Sequence, residues 1–498
     1  MSLLTALAQV LAAETGRAQP IRTVRHVHLS DRPLVFIPLQ LAGEACAPLA
    51  ALVGDDLAKP MLLTVHEPRD RTQRFDFAAA LAEIMLSYID GYADGEPAPG
   101  TSYPDAPQLL VPNPQGISFT RLLGRSTRFR RTDGEFAVKE SVPVLGRWLS
   151  FYAERTEVPA SALLVPMTAA LTSHWATGQS AAEDANLAAL LGWIDPPPGM
   201  TGAAAARAAE DPVRFPPSGP ATDPSFDNEV LQARIGAVRA AKATGDGGAL
   251  HRAQAATDAA LRTQLEPTWE LMWRAVGLLR ALPEGAHVAD RWQSDRQAFT
   301  GHVAWLRGGG APQPRRDSAV AAAARLARLE RDQQRLDVQR AYDDPLVMAE
   351  YRLAGEAFAG LVTEAWPDRL DTSGKRAKLR PRIVVETAEQ ALAALGAVLK
   401  CPARPGQDAE VVEVTSAGRL TQVRLELSGG MGRSLVPLPG SVPGVGETLT
   451  YTTLRDEFQR APGFPDRERT PWTHGGPPPE YVPAPDEDAA EDAAEEIS

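Results

Sequence analysis

Five arginines stand close together in RLLGRSTRFRR, the segment that runs from residue 121 to residue 131. They are Arg121, Arg125, Arg128, Arg130 and Arg131, and the segment contains no acidic residue and one aromatic residue, Phe129. The planar guanidinium group of arginine donates two parallel hydrogen bonds to a phosphate, which suits it to nucleic-acid backbones. This first basic cluster therefore predicts a contact with a nucleic acid or another polyanion.

A second basic cluster lies in TSGKRAKLRPRIVVET, residues 372–387, in a chain whose net charge is −12. Its members are Lys375, Arg376, Lys378, Arg380 and Arg382. The cluster leads into the predicted strands of a small barrel, and such barrels bind single strands with a basic groove and stacking aromatic rings. Only one aromatic residue, Tyr451, falls in those strands, which counts against single-strand binding. The alternative for both clusters is a solvated surface whose charges pair with the chain's carboxylates.

The second cluster does not match the phosphate-binding loop of an ATPase. That motif needs an earlier glycine at fixed spacing and a serine or threonine directly after its lysine. Arg369 and Arg376 occupy those two positions here. The sequence therefore predicts no ATP site, and we also predict no catalytic residue and no cofactor.

His26 and His28 in RHVHLS are candidate zinc ligands, because alternate residues of a strand face the same way. Zinc would need further ligands, and His66 and Cys46 are near in the sequence. The favoured interpretation is a strand with two solvent-facing histidines, so no metal site is predicted. A rival hypothesis is an enzyme for a phosphate ester or nucleotide, with a dispersed N-terminal site made of His26, His28 and the arginines of residues 121–131.

Three pairs of neighbouring carboxylates could belong either to a catalytic site or to helix caps. They are Glu183/Asp184, Asp223/Asp227 and Asp343/Asp344. Metal-dependent nucleases and glycosidases place such pairs in a cleft, but acidic side chains are equally at home where helices begin. The favoured interpretation is helix capping, with Ser180 and Glu183 forming a capping box.

The composition is that of a globular protein, since 44% of the 498 residues are hydrophobic and 23% are charged. Two cysteines, Cys46 and Cys401, exclude a disulfide framework and predict a cytoplasmic protein. No stretch is apolar over the ~20 residues of a membrane span, so no membrane contact is predicted. Acidic residues crowd into residues 480–498, and we hypothesise that this tail competes with a polyanion for the basic clusters.

The hydrophobic periodicity predicts an α+β multidomain fold that is predominantly α-helical. Its predicted parts are a small α/β (or α+β) domain at 1–140, a helical subdomain with a Pro-rich connector at 141–225, a long-helix bundle or stalk at 226–370, a small β-barrel or sandwich domain at 381–456 and a disordered acidic tail at 460–498. A short seam of Leu326, Leu329 and Leu336 makes a coiled coil an alternative to the bundle.

Individual segments follow from the same patterns. RHVHLS, PLVFIPLQL and MLLTVHEP are predicted strands, and DPVRFPPSGPATDPSFDN is a predicted irregular segment, hereafter the proline-rich connector. In the predicted barrel, the strands are RIVVET, AEVVEVTS, RLTQVRLELS, RSLVPLP and ETLTYTT, and AEQALAALGAVLK is a predicted helix between them.

A helical stalk followed by a small barrel is similar in layout to the accessory insertions of some superfamily 1 helicases, over about a third of the chain. The resemblance implies a partner of a bacterial-type nucleic-acid-processing or defence complex. We therefore expect a non-catalytic accessory or scaffold protein with protein partners, such as a helicase or an ATPase, and with nucleic acid as the polyanion. The alternatives are the enzyme described above and a pure protein–protein scaffold.

Overall fold

The computed structural model describes residues 2–44, 47–314, 317 and 319–455. Within these ranges the chain is mixed α/β and separates into two compact units. The first unit contains residues 5–332, and the second contains residues 2–4 and 333–455. The boundary near residue 332 falls inside one long helix. The finer division into the four regions named above stays a prediction, and the predicted acidic tail lies outside the described residues.

The first unit combines short strands with many helices. Its strands are β1 (Gln19–Pro20), β2 (Leu34–Gln40), β3 (Pro48–Gly54), β4 (Met61–Thr64), β5 (Leu109–Val111), β6 (Leu164–Pro166) and β7 (Trp175–Ala176). The helices are α1 (Leu3–Thr15), whose first two residues belong to the second unit, α2 (Arg71–Asp90), α3 (Pro114–Thr127), α4 (Ser141–Arg155), α5 (Met167–Thr172), α6 (Leu187–Ile194), α7 (Gly202–Ala208), α8 (Pro224–Phe226), α9 (Gln232–Thr244), α10 (Gly247–Arg280) and α11 (Val288–Arg307). A 3₁₀ turn at Glu183–Ala185 precedes α6, and a π-helical segment at Asp227–Leu231 joins α8 to α9.

A five-stranded mixed sheet forms the centre of the first unit, in the order β4-β3-β2-β5-β6. Strands β2, β5 and β6 are parallel, whereas β3 and β4 run antiparallel to their neighbours. The near-continuous apolar sequences of β2 and β3 are typical of strands covered on both faces, and both strands are buried. The carboxyl ends of the parallel strands therefore meet at one edge of this sheet.

The sheet and the long helices of the first unit share one apolar core. That core extends in sequence from Leu29 to Val303 and includes residues of β2, β3, α2, α4, α10 and α11. Trp269 of α10 donates its indole N–H to the carbonyl oxygen of Leu57 at 2.9 Å. Trp148 of α4 lies against Phe299 of α11 with ring centroids 5.7 Å apart. Tryptophan rings therefore anchor the helices to the centre of this unit.

The second unit is built around a closed six-stranded barrel, in the order β11-β14-β13-β12-β15-β8. Helix α12 (Ala319–Asp343) spans the unit boundary and is followed by α13 (Pro345–Ala354). The strands are β8 (Ala357–Trp366), β9 (Leu370–Asp371), β10 (Lys378–Leu379), β11 (Arg382–Thr387), β12 (Val398–Lys400), β13 (Asp408–Ala417), β14 (Leu420–Ser428) and β15 (Thr448–Thr452). Alternate residues such as Ile383, Val385, Val423 and Leu425 fill the barrel interior. The predicted small barrel is confirmed.

The barrel differs from its prediction in two places. Strand β8 was not predicted, although it pairs with both β11 and β15 and so closes the barrel. The helix predicted for AEQALAALGAVLK is wrong, because residues 388–397 are irregular and β12 follows them. Isolated helices this short are marginal in water, so tertiary contacts decide their conformation. Here Ala391, Ala393 and Ala397 pack against the barrel core.

Two further predicted strands are absent from the described structure. RSLVPLP lies in the loop of residues 429–447, where several glycines take positive φ angles that strands do not use. RHVHLS is irregular apart from an isolated bridge between Arg25 and Glu284.

Within the described ranges, no helix is both long enough and apolar enough to span a bilayer.

Candidate functional site

The first basic cluster occupies the second half of α3 and the residues that follow it. Arg128 lies at the C-terminal end of α3 and is 5% exposed. Its guanidinium group donates to the carbonyl oxygen of Gln313 at 3.1 Å and to the Ser150 hydroxyl at 3.2 Å. Arg128 therefore ties α3 to its neighbours, and its side chain is largely removed from solvent.

Two other members of this cluster also have partners within the first unit. Arg121 forms an ion pair with Glu157 at 3.1 Å. Arg130 donates to the carbonyl oxygen of Ser126 at 2.8 Å, and its guanidinium lies 5.1 Å from the centroid of the Phe75 ring. These contacts occupy part of the hydrogen-bonding capacity that a phosphate would need.

A groove of about 300 Å³ brings three of these arginines together with carboxylates. Arg121, Arg125, Arg128 and Arg325 line the groove, and so do Glu154, Glu157 and Asp317. Arg325 pairs with Glu157 at 2.6 Å and with Asp317 at 3.2 Å. The positive charge of the groove is thus largely balanced from within the protein.

The other two arginines of the first cluster have no acidic partner in the described part of the chain. Arg125 and Arg131 are exposed and make no ion pair with the described residues. The role of this cluster as a polyanion contact stays a prediction.

The second basic cluster has a different environment. Strands β9 and β10 pair as a short antiparallel hairpin between barrel strands β8 and β11. Lys375, Arg376 and Lys378 lie on the turn and on the first residue of β10, and all three are exposed. None of their side chains makes a hydrogen bond or an ion pair with a described residue. We call residues 370–379 the basic hairpin.

The remaining two members of this cluster stabilise the base of the basic hairpin. Arg382 in β11 pairs with Glu426 at 2.9 Å, and Arg369 reaches the same carboxylate at 2.8 Å. Arg380 donates its backbone N–H to the carbonyl oxygen of Arg369 at 2.9 Å. The Asp371 carboxylate accepts from the backbone and hydroxyl of Ser373, and these hydrogen bonds lower the pKa of Asp371. The base of the basic hairpin is therefore held by internal contacts, while the cations nearer its turn remain exposed to solvent.

Trp366 is a candidate site residue that the sequence reasoning missed. It ends β8 directly across from Arg382, and it is 42% exposed. The Arg424 guanidinium lies 5.8 Å from the ring centroid. Tyr451, the aromatic residue noted in the predicted strands, is buried in the barrel. A signal for Trp366 existed in AFAGLVTEAW, where apolar residues alternate as they do in strands, but this segment directly follows the helices.

The two histidines of RHVHLS are not solvent-facing strand residues. The His28 ring stacks on Trp292 with centroids 4.0 Å apart, and burial lowers the pKa of His28 to about 4. The backbone N–H of His26 donates to Nε2 of His174 at 3.1 Å. Cys46 lies outside the described residues. Within the described part of the chain, no group of three or more His, Cys, Asp or Glu side chains could hold a metal ion.

The capping interpretation is confirmed for Asp223 and Asp344. It is wrong for Glu183 as a helix cap, because its contact with Ser180 lies in the turn before the 3₁₀ segment, and Asn186 caps α6 instead. Glu183 accepts from the backbone N–H and the hydroxyl of Ser180, both at 2.7 Å, within this turn. Asp223 accepts from the N–H of Ser225 at the start of α8, and Asp344 does the same for Leu346 at the start of α13. These carboxylates are explained by local structure.

Comparisons with protein-family models, with curated proteins and with solved structures found no match to this chain.

Proposed function

We propose that this protein is a non-catalytic accessory or scaffold protein that contacts nucleic acid through the basic hairpin of its barrel. The observation that carries the proposal is the surface at the β8–β11 end, where Lys375, Arg376 and Lys378 are exposed without partners. Trp366 lies across from Arg382 at the base of the same hairpin. Cations and an exposed aromatic ring are the two components of single-strand binding by small barrels.

The two components have different physical roles. Lysine and arginine attract the phosphate backbone and release its counterions, so their contribution is strong at low salt and independent of sequence. An aromatic ring stacks on a base and contributes about 1–3 kcal/mol per stacked base. The exposed Trp366 ring therefore favours a single strand over a duplex, whose bases are already stacked.

The wider role rests on the sequence patterns and on the resemblance in layout. The proposed arrangement is a small N-terminal α/β unit, a central helical bundle or stalk and the C-terminal barrel, in a cytoplasmic protein. The proposed partner is a helicase or an ATPase of a bacterial-type nucleic-acid-processing or defence complex. The acidic residues 480–498 are proposed to compete with nucleic acid for the basic hairpin, since they carry the opposite charge.

A binding titration tests the proposal. Wild type and the variant Lys375→Ala/Arg376→Ala/Lys378→Ala are titrated against labelled oligo-dT, duplex DNA and single-stranded RNA at low salt. We expect single strands to bind more tightly than duplex, and the variant to lose affinity about a hundredfold, since each lost phosphate contact weakens binding. Arg376→Ala and Arg419→Ala form a matched pair of single variants, because Arg419 is an exposed arginine on the turn between β13 and β14.

The pure protein–protein scaffold is the second candidate function. It is favoured by the barrel loop of residues 429–447, in which Val436 and Val445 are 68% and 66% exposed. Exposed apolar side chains grouped on one loop are typical of protein contacts. Absence of binding to all three nucleic acids at low salt would reject the polyanion proposal and leave this candidate.

A further inference from the structure

A cleft of about 520 Å³ opens in the first unit beyond the carboxyl ends of strands β2 and β5. Gln40, the last residue of β2, lines the cleft on one side. Asn113, just after β5, lines it as well and caps helix α3. Ligands of open α/β sheets bind outside the carboxyl ends of parallel strands, and clefts of this volume hold small organic molecules.

The proline-rich connector forms another wall of this cleft and is held in place by specific hydrogen bonds. The Asn113 side-chain amide donates to the carbonyl oxygen of Gly219 at 2.8 Å. The backbone N–H of Gln40 donates to the carbonyl oxygen of Pro220, also at 2.8 Å. Gly219 has a φ of 77°, which favours glycine at this position. The connector is therefore fixed against the sheet edge as part of the cleft.

The charges around the cleft disfavour an anionic ligand. Glu210 and Asp223 line it, and no described lining residue is a lysine, an arginine or a histidine. Two helices begin at the cleft, but their caps Asn113 and Asn186 already accept from the backbone N–H groups of the first turn. A phosphate or carboxylate group would therefore meet the negative charge of Glu210 and Asp223. The Arg214 guanidinium lies 5.8 Å from the centroid of the Phe215 ring, but Arg214 does not line the cleft.

The cleft does present neutral polar groups without partners. Ser218 is 7% exposed and lines the cleft, and its hydroxyl makes no hydrogen bond with a described residue. The side-chain amide of Gln40 and the amide NH₂ group of Asn186 are likewise without a described partner. Buried polar groups are normally hydrogen-bonded, so a hydroxyl left facing a cleft points to a ligand or water there. The half-buried ring of Phe215 adds an apolar surface.

We propose that this cleft binds a small, uncharged, hydroxyl-rich ligand of the size of a mono- or disaccharide. Side-chain amides and a serine hydroxyl both donate and accept, as neighbouring hydroxyl groups of a sugar require. The carboxylates of Glu210 and Asp223 accept from hydroxyl groups, and the Phe215 ring packs against the C–H face of a sugar ring. This site is separate from the basic hairpin and does not depend on the proposed function.

Calorimetric titration with D-glucose, D-ribose and maltose tests the inference, with glucose 6-phosphate as the charged analogue. We expect saturable binding of at least one neutral sugar and at least tenfold weaker binding of its charged analogue. Ser218→Ala should weaken the neutral sugar about three- to tenfold, since it removes one hydrogen bond. Ser294→Ala on α11 is the matched control, and its affinity should equal that of wild type.

Asp223→Asn tests the charge argument directly. Asparagine caps a helix as well as aspartate does, so α8 should begin at the same residue, while the cleft loses one negative charge. We expect this variant to bind glucose 6-phosphate more tightly than wild type and the neutral sugar about equally. The inference is overturned if no neutral sugar binds at about 50 mM, if glucose 6-phosphate binds more tightly than glucose, or if Ser218→Ala binds like wild type.

Discussion

The two basic clusters have nearly the same charge in sequence but different surroundings in the structure. In the first cluster, Arg121 pairs with Glu157 and Arg128 is buried against Ser150. In the second, the side chains of Lys375 and Arg376 make no hydrogen bond or ion pair with a described residue. A run of basic residues therefore predicts positive charge. Whether those side chains can bind a phosphate depends on carboxylates and carbonyl groups far away in the sequence.

The difference follows from where each cluster is placed. Helix α3 packs against α4 within a layered unit, so long side chains on α3 meet Glu157 and the segment around Gln313. The basic hairpin is a two-stranded extension between barrel strands, and at its base Arg369 and Arg382 pair with Glu426. Internal partners therefore make Arg121 and Arg128 of the first cluster contribute to stability. The side chains of Lys375, Arg376 and Lys378 have no such partner among the described residues, which is what the proposed nucleic-acid contact requires.

Removing Arg128 should give the largest effect and should act on folding. Arg128→Ala leaves the buried Ser150 hydroxyl and the Gln313 carbonyl without a donor and opens a cavity. We expect the free energy of unfolding of the first unit to fall by about 3 kcal/mol, measured by urea denaturation. Arg125→Ala, an exposed neighbour, is the control and should change it by less than about 0.5 kcal/mol. Equal stability of the two variants would contradict an internal role for Arg128.

Removing the exposed tryptophan should give a smaller effect than removing the hairpin cations and should also act on binding. We expect Trp366→Ala to weaken oligo-dT about tenfold through lost base stacking, with little change in duplex affinity. Trp366→Phe should recover most of that loss because a smaller ring still stacks. Fluorescence anisotropy with labelled oligonucleotides measures both effects. If Trp366→Ala binds oligo-dT as tightly as wild type, Trp366 does not stack on a base, and the cations alone would account for binding.

Removing the exposed arginines of the first cluster should give the smallest effect. Arg125→Ala/Arg131→Ala takes away two cations that have no ion pair among the described residues. We expect oligo-dT affinity to fall less than about threefold, since isolated surface cations add only long-range attraction that salt screens. The same anisotropy assay applies. A loss as large as that of the hairpin variant would mean that both clusters bind, and the comparison would fail.

The sequence predicted the parts of the fold in which local pattern and tertiary structure agree. Alternating apolar residues predicted β11, β13 and β14, and helical periodicity predicted long helices within residues 226–370, where α10, α11 and α12 lie. The helix expected near Ala393 failed because a short segment takes its conformation from the core it packs on. Strand β8 was missed because it directly follows helices. The exposed Trp366 was missed for the same reason, since it is the last residue of β8.

The candidate sites were predictable only in part for the same reason. Residue types identify both basic clusters, but neither Glu157 nor Asp317 is near the first cluster in sequence. The proline-rich connector is irregular as expected up to Asp223, but α8 and the π-helical segment occupy its last five residues, so that part of the prediction is wrong. Its role as a wall of the cleft depends on contacts of Gly219 and Pro220 with distant residues, which no local pattern reveals.

The salt dependence of oligo-dT binding shows whether the cations of the basic hairpin contact phosphate groups. For a single strand, the slope of log Kobs against log salt concentration reports about 0.7 per neutralised phosphate. If the hairpin cations contact phosphate, the slope for Lys375→Ala/Arg376→Ala/Lys378→Ala should be shallower than that of wild type by about two. Identical slopes for wild type and this variant would contradict the claim that the basic hairpin is the nucleic-acid contact.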